Sequence, residues 1–263
     1  RDVIRHAKLV VVRLLGGRGY WPFGTDEIAR TCGELGIPVA FLPGDDQPDV
    51  ELAALSTVTP EAQHCLWQYC VHGGPENAIG FLNFAASLIG HRTEWREPRP
   101  LVRAGLYWPR LDSPDLKAIK AAWKKDTPIA ALVFYRALFQ AGNLKVIDAL
   151  IEGLSRAGLN ALPVFVASLK DPVAAATLGE LLSGAPPDVI LNATGFAVSV
   201  PGIKRTPTPF DVIAKDGQPG PVILQVVFSG GSEHDWHHST RGLGPRDIAM
   251  NVALPEVDGR IMS

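Results

Sequence analysis

The sequence has few cysteines, no long apolar run and no excess of charge of either sign, and each absence excludes a class of protein. Three cysteines, Cys32, Cys65 and Cys70, occur in 263 residues. A small and odd number of cysteines does not suit a disulfide-bonded secreted domain, so we expect the protein to be located in the cytoplasm. No run approaches the roughly 18 apolar residues that span a bilayer, and no signal peptide opens the sequence. We therefore expect no membrane span.

The charge balance and the missing nucleotide motifs narrow the possible partners. The sequence has 25 Lys and Arg against 27 Asp and Glu, a formal net charge of −2. A broad nucleic-acid surface needs clustered basic residues, so we expect no nucleic-acid partner. The dipeptide Gly-Lys does not occur, which excludes a Walker A loop, and the glycine-rich loop at Gly16–Gly24 matches neither that motif nor GxGxxG.

Short apolar runs alternate with helical patterns along most of the sequence. The pattern predicts strands at Lys8–Leu15, Ile37–Leu42, Ile129–Tyr135, Ala161–Ala167, Val189–Leu191 and Val222–Phe228. It predicts intervening helices at Thr25–Gly36, Pro60–Val71, Pro75–Ile89, 143–157 and 171–182. This alternation predicts an α/β protein with two Rossmann-like modules, each a doubly wound, mainly parallel sheet. We assign residues 1–90 to the first module, 91–127 to a Pro-rich linker with a short helix, and 128–263 to the second module.

Ligands of parallel sheets bind outside the carboxyl ends of the strands, which directs attention to the residues there. Tyr135 and Arg136 follow one strand, and Asn192 follows another. The fork of Arg136 can pair with a substrate carboxylate, although an arginine that ties loops together fits equally. In the first module, Tyr20 and Trp21 form either a platform for a flat ligand or an aromatic-capped turn.

The stretch from Ser239 to Ile261 surrounds a short apolar run with acids and bases. From the residues alone it is either the polar mouth of a site or a buried element with solvated ends. Its charged residues are Arg241, Arg246, Asp247, Glu256, Asp258 and Arg260. We expect Arg246 and Asp247 to form a local ion pair.

Three histidines precede this stretch within one short segment. His234 and His238 have the i,i+4 spacing of metal ligands, and His237 follows within the same segment. Imidazole suits divalent cobalt or zinc. The alternative is an ordinary surface helix.

Several segments, in order, carry a family resemblance. They are LLGGRGYWPFG (14–24), FLPGDDQPD (41–49), GGPENA (73–78), FYRALFQAGN (134–143), LPVFVASLKDP (162–172), PDVILNATGF (187–196) and STRGLGPRDIAMNVALPEVDGRI (239–261). Together they resemble the large, CobN-type subunit of aerobic cobaltochelatase and, less closely, the porphyrin-binding large subunit of magnesium chelatase. Members of that family are several times longer, so we expect an internal fragment that is inactive alone.

The resemblance implies a ligase that forms nitrogen–metal bonds, inserting Co2+ as a substrate into hydrogenobyrinic acid a,c-diamide during aerobic cobalamin biosynthesis. ATP, with Mg2+, would be hydrolysed by partners, an AAA+ ATPase subunit and a subunit with a metal-dependent adhesion domain, and would not be bound here. Glu256 and Asp258 would be catalytic, as general base and metal-holding carboxylate. The corrin would contact Tyr20, Trp21, Tyr135, Arg136, Asn192, Arg241 and Arg246.

Other functions stay open at this point. One is the large subunit of magnesium chelatase, or a CobN-like paralogue that uses another metal or ring. Another is a non-catalytic head that docks the ATPase partners. The last is a sugar- or nucleotide-binding α/β protein that matches by chance.

Overall fold

The computed structural model describes residues 3–195, 209–210 and 220–256, and the backbone of 261–262. The chain divides into two compact units, residues 1–101 and 102–263. Within the described residues, no helix combines the length and apolarity needed to cross a membrane.

The first unit is a two-stranded parallel sheet with helices on both faces. Strands β1 and β2 pair in register from Val10↔Val39 to Leu14↔Pro43. The elements in chain order are β1 Val10–Leu14, α1 Pro22–Leu35, β2 Val39–Pro43, α2 Val50–Leu55, α3 Pro60–His72 and α4 Pro75–Leu88. Three of the four helices have proline in the first turn, where its missing N–H costs nothing.

Alternating side chains of β2 divide the core of this unit into two layers. Val39 and Phe41 pack with Cys32 of α1 and with α2. Ala40 and Leu42 pack with the apolar faces of α3 and α4. Because successive residues of a strand point to opposite faces, the sheet is covered on both sides, as the doubly wound pattern predicts.

The second unit is built on a six-stranded sheet in the order β3-β5-β4-β6-β7-β8. Only β3 is antiparallel to its neighbour among the paired strands described. The strands are β3 Ala104–Leu106, β4 Ile129–Tyr135, β5 Asn160–Val166, β6 Val189–Asn192, β7 Val222–Gln225 and β8 Ile261–Met262. The helices are α5 Leu116–Ala121, α6 Arg136–Gln140, α7 Lys145–Arg156, α8 Pro172–Gly184, α9 Glu233–His238, α10 Pro245–Ile248 and α11 Leu254–Glu256, with a π-helical turn at Ala249–Ala253. The α/β class with mainly parallel sheets is confirmed.

The strand order creates a switch point between β4 and β6. The chain passes from β4 to β5 on one side and then to β6 on the other, so the connections leave the sheet in opposite directions. In open α/β sheets this divergence opens a crevice at the carboxyl ends of the two strands. The expected ligand position in the second unit is therefore beyond Tyr135 and Asn192.

Part of the segment assigned to a linker from the sequence, 91–127, belongs to the folded second unit. Ala104–Leu106 pairs with β5, and α5 begins after Asp115, whose carboxylate accepts a hydrogen bond from the Ala118 N–H at 2.7 Å. The strand β3 could not be foreseen because three residues among prolines show no alternation long enough to indicate a strand.

Candidate functional site at the carboxyl edge of the second sheet

A buried polar network closes the ends of β6 and β7. It consists of Asn192, Thr194 and Gln225, which are 0%, 1% and 0% exposed, and we call it the Asn192 network. The Asn192 side-chain amide donates to Gln225 Oε1 at 2.9 Å, and Gln225 Nε2 donates to the Thr194 carbonyl at 3.0 Å. Asn192 Oδ1 accepts from the Thr194 N–H at 3.2 Å and from its hydroxyl at 2.8 Å. The network therefore fixes the backbone at the end of β6.

The predicted contacts Tyr135 and Arg136 lie at the end of the neighbouring strand and at the start of the helix that follows it. Val133 of β4 is in register with Asn192, and the Ala193 N–H donates to the Val133 carbonyl at 2.7 Å. Tyr135 is the last residue of β4 and Arg136 the first of α6, and both are partly buried. The structure thus places Tyr135, Arg136 and Asn192 at the switch point. The Asn192 side chain is buried within the network, so its predicted contact with a corrin stays a prediction.

A helical segment from Pro245 to Glu256, the C-terminal helical segment, is held against this edge by two contacts. The Asp247 carboxylate accepts from the Gly230 N–H, with oxygens at 3.1 and 3.2 Å. A Cβ on Gly195 would lie 2.3 Å from the Met250 carbonyl oxygen, so the backbones meet closely here. Asp247 is thus occupied by a backbone amide, and the ion pair with Arg246 expected from the sequence is not formed.

The C-terminal helical segment borders an open cleft of about 500 Å3. Arg241 lines this cleft, together with Asp247 and the chain around Ser229 and Gly231. Arg246 and Glu256 are exposed on the same segment, whereas Pro255 is buried and anchors its end. Asp258 lies outside the described residues. The arrangement combines a fixed backbone with exposed charged side chains.

The three histidines lie on α9, which Ser232 caps by accepting a hydrogen bond from the Asp235 N–H. The rings of His234 and His238 stack with centroids 4.1 Å apart, and His237 Nε2 lies 3.9 Å from a Glu233 carboxylate oxygen. In the described part of the chain, no group of three or more His, Cys, Asp or Glu residues is arranged to hold a metal ion. The metal role of these histidines stays a prediction without ligand geometry behind it.

Tyr20 and Trp21 belong to the first unit, in the loop after β1. Tyr20 is 79% exposed and Trp21 46%. The Trp21 ring covers Gly24 so closely that a Cβ there would lie 1.9 Å from it. Arg18 donates to both carboxylate oxygens of Asp26, at 2.8 and 3.1 Å. These contacts describe an aromatic-capped turn with exposed aromatic surface, and the platform for a flat ligand stays a prediction.

Sequence reasoning missed two positioning residues of this edge, Gly195 and Gln225. The available signal was a polar residue directly after an apolar strand, as in the run Val222–Gln225. A buried polar group must find hydrogen-bond partners, and the nearest candidates were at the end of the adjacent strand.

Comparison with known proteins assigns the chain to a family. A protein-family model described as CobN/Magnesium Chelatase matches residues 67–263 of the chain. Aerobic cobaltochelatase subunit CobN of a Sinorhizobium species is 44% identical over 98% of this chain, and that of Pseudomonas aeruginosa 40% identical over 100%. The chain spans 20% of the length of either relative.

A solved structure agrees with these relatives. The catalytic subunit of cobaltochelatase from Mycobacterium tuberculosis matches with a TM-score of 0.67 and 28% identity, over 100% of this chain and 21% of that one. The resemblance drawn from the sequence segments is confirmed. Since the family model and the two CobN relatives together match the whole chain, the chain belongs to the CobN/magnesium chelatase family.

Proposed function

We propose that this chain forms part of the corrin-binding surface of the large subunit of an ATP-dependent cobaltochelatase. The reaction would insert Co2+ into hydrogenobyrinic acid a,c-diamide in aerobic cobalamin biosynthesis. Separate AAA+ and adhesion-domain subunits would supply ATP hydrolysis with Mg2+. The cobalt branch is preferred to the magnesium branch because identity is 40–44% with CobN and 28% with a rice magnesium-chelatase subunit ChlH.

One observation carries this proposal beyond family membership. Arg136 follows β4, whose divergence from β6 opens a crevice at the carboxyl ends of the strands. The C-terminal helical segment, with Arg246 and Glu256, contacts the chain after β6 and β7 of the same sheet through Gly195 and Gly230. A corrin precursor carries several carboxylates at its periphery. Guanidinium groups bind carboxylates in a planar, two-pronged geometry, so Arg136, Arg241 and Arg246 suit the ring's periphery.

The chemical step requires a base near the ring. Insertion of a divalent metal displaces protons from ring nitrogens, and a carboxylate can accept them. Glu256 is the described carboxylate that fits this role, since it is exposed at the end of a segment held by Asp247 and Gly195. A carboxylate there also attracts the incoming cation.

A titration tests the binding part of the proposal. Metal-free hydrogenobyrinic acid a,c-diamide is added to the chain, and its absorbance is followed to saturation. We expect saturable binding that weakens about tenfold in Arg136→Ala, the loss of roughly one charge-assisted contact. Arg156→Ala is the matched control, because Arg156 lies on α7 with its side chain 76% exposed. Equal loss in both variants, or no binding by the folded chain, contradicts the proposal.

A rate measurement tests the catalytic part. In a chelatase assembled from a large subunit containing this chain and its ATPase partners, Glu256→Gln should lower the rate at saturating Co2+ about a hundredfold, within the range for loss of a general base. Glu152→Gln on α7, with a side chain 74% exposed, is the control. An unchanged rate for Glu256→Gln rules out its role as base.

A further inference from the structure

The outer side of β1 in the first unit carries backbone hydrogen-bonding groups with which no strand among the described residues pairs. The Val10 N–H donates to the Pro38 carbonyl at 3.0 Å, and the Leu14 carbonyl accepts from the Gly44 N–H at 2.7 Å, both on the β2 side. Backbone groups of successive strand residues point alternately to the two sides. Those of Val11 and Arg13 therefore point away from β2, and we call this the β1 edge. Within residues 3–195, 209–210, 220–256 and 261–262, no strand pairs with it.

The two strands of this sheet differ sharply in burial. Val39 to Leu42 of β2 are 0% exposed, whereas every residue of β1 is at least partly exposed. The far side of β2 is covered, because its Val39 and Phe41 N–H groups donate to the Thr57 and Ser56 hydroxyls at 2.9 and 2.8 Å. The side of this sheet that is left exposed to solvent is therefore the β1 side.

The sequence of β1 is that of an inner strand. Leu9 to Leu15 reads LVVVRLL, a nearly continuous apolar run of the kind found in parallel strands with neighbours on both sides. Edge strands are normally short, charged or bent, because an open apolar edge attracts another strand. Two-stranded sheets are also marginal without further packing. The composition of β1 is therefore typical of a strand that has a neighbouring strand on each side.

An apolar groove of about 640 Å3 runs beside the β1 edge. Its floor comes from α4, where Leu82 is 66% exposed. The lining residues are His6, Lys8, Leu9, Val11, Leu82, Ala85, Ala86 and Ile89. Apart from His6 and Lys8 the lining is aliphatic, so it matches branched aliphatic side chains better than a polar ligand.

The winding of the chain points to the same position. α1 and α2 cover one face of the sheet, and α3 and α4 cover the other. In a doubly wound sheet, this change of face brings the next strand alongside β1. The chain after α4 does not fill the place. Asn77 bonds the backbone of Arg99, and Asn83 that of Glu94, so this segment lies against the helices instead.

We infer that the β1 edge is completed by an apolar strand, rich in Val and Ile, from a segment of the same polypeptide outside residues 1–263. The two CobN relatives have about four fifths of their length outside the matched region, so a family chain has ample sequence for it. The added strand pairs with the backbone of Val11 and Arg13 and fills the groove over Leu82. It would make this small sheet at least three-stranded.

Hydrogen exchange at single amides tests the inference. In the 263-residue chain, the Val11 and Arg13 amides should exchange about a hundredfold faster than those of Val12 and Leu14, which face β2. In a chain extended to the length of its CobN relatives, the rates of all four should agree within about tenfold. Continued fast exchange at Val11 and Arg13 in the folded extended chain overturns the inference.

Two variants and one dilution series distinguish the possible occupants. In the extended chain, Leu82→Glu should accelerate Val11 and Arg13 exchange about tenfold, because it places a charge in the groove. Ile79→Glu is the control, since Ile79 is 61% exposed on α4 but outside the groove. Equal effects of both overturn the inference. Protection at Val11 that appears in the 263-residue chain and disappears on dilution also overturns it, because a second copy is then the occupant.

Discussion

Replacing Asn192 with leucine should destabilise the carboxyl edge of the second sheet without creating a cavity there. The two side chains have similar shapes, so the main change is loss of hydrogen bonds. Asn192 makes bonds of 2.9, 3.2 and 2.8 Å and a longer one of 3.3 Å to the Thr194 carbonyl. A typical bond contributes about 0.5–1.5 kcal/mol net. Three good bonds therefore correspond to a loss of about 3 kcal/mol.

The Val226 N–H, which donates to the Asn192 carbonyl at 2.9 Å, reports this loss directly. Because about 1.4 kcal/mol corresponds to a factor of ten, its exchange should accelerate by about a hundredfold in Asn192→Leu. Asn143→Leu is the matched control, since Asn143 is exposed in the same unit. Exchange within about threefold of that control would refute the network's structural role, because a buried network cannot lose three bonds without cost.

Gly195→Ala places a methyl carbon 2.3 Å from the Met250 carbonyl oxygen. It should displace the C-terminal helical segment and weaken corrin binding about tenfold in the titration above, whereas Gly153→Ala, with open space at its Cβ position, should leave affinity unchanged. Burial, aided by the hydrogen bond to Asp148, raises the pKa of Tyr107 well above its usual range. The folded state therefore holds this proton more tightly than the unfolded state, so Tyr107 stabilises the fold below pH about 10, and this contribution declines as the pH rises further. The free energy of unfolding, measured by urea titration between pH 9 and 11, checks this prediction. If it falls with pH equally steeply in the unsubstituted chain and in Tyr107→Phe, the prediction is contradicted.

The strands β4 and β5 of the second sheet were predictable because their apolar runs are long and bounded by turn residues. The predicted strand Ile129–Tyr135 has the observed bounds, and Ala161–Ala167 differs from the observed strand by one residue at each end. Asp171 caps the next helix as expected, accepting from the Ala174 N–H at 2.9 Å. These elements carry local signals that tertiary packing does not override.

The strand order of the second sheet and the contacts at its carboxyl edge could not be predicted from the sequence. The order in which parallel strands lie is set by long-range packing, so the position of β4 between β5 and β6 has no local signature. Asp247 illustrates the same limit. Its neighbour Arg246 suggested an ion pair, but the exposed pair would contribute about 1 kcal/mol or less. The carboxylate instead accepts the Gly230 N–H, a partner 17 residues away.

Buried and exposed polar groups at the carboxyl edge of the second sheet have different roles, and this difference bears on how a chelatase of the proposed kind would work. The buried groups, Asn192 and Gln225, bond to protein and fix the backbone, whereas Arg246 and Glu256 remain exposed. An exposed carboxylate is well hydrated, and electrostatic catalysis is stronger when water is excluded. Glu256 therefore needs a cover at the moment of proton transfer, supplied by the ring itself or by more of the subunit. On this reasoning, ring binding should survive in the chain alone, while catalysis should require the larger assembly.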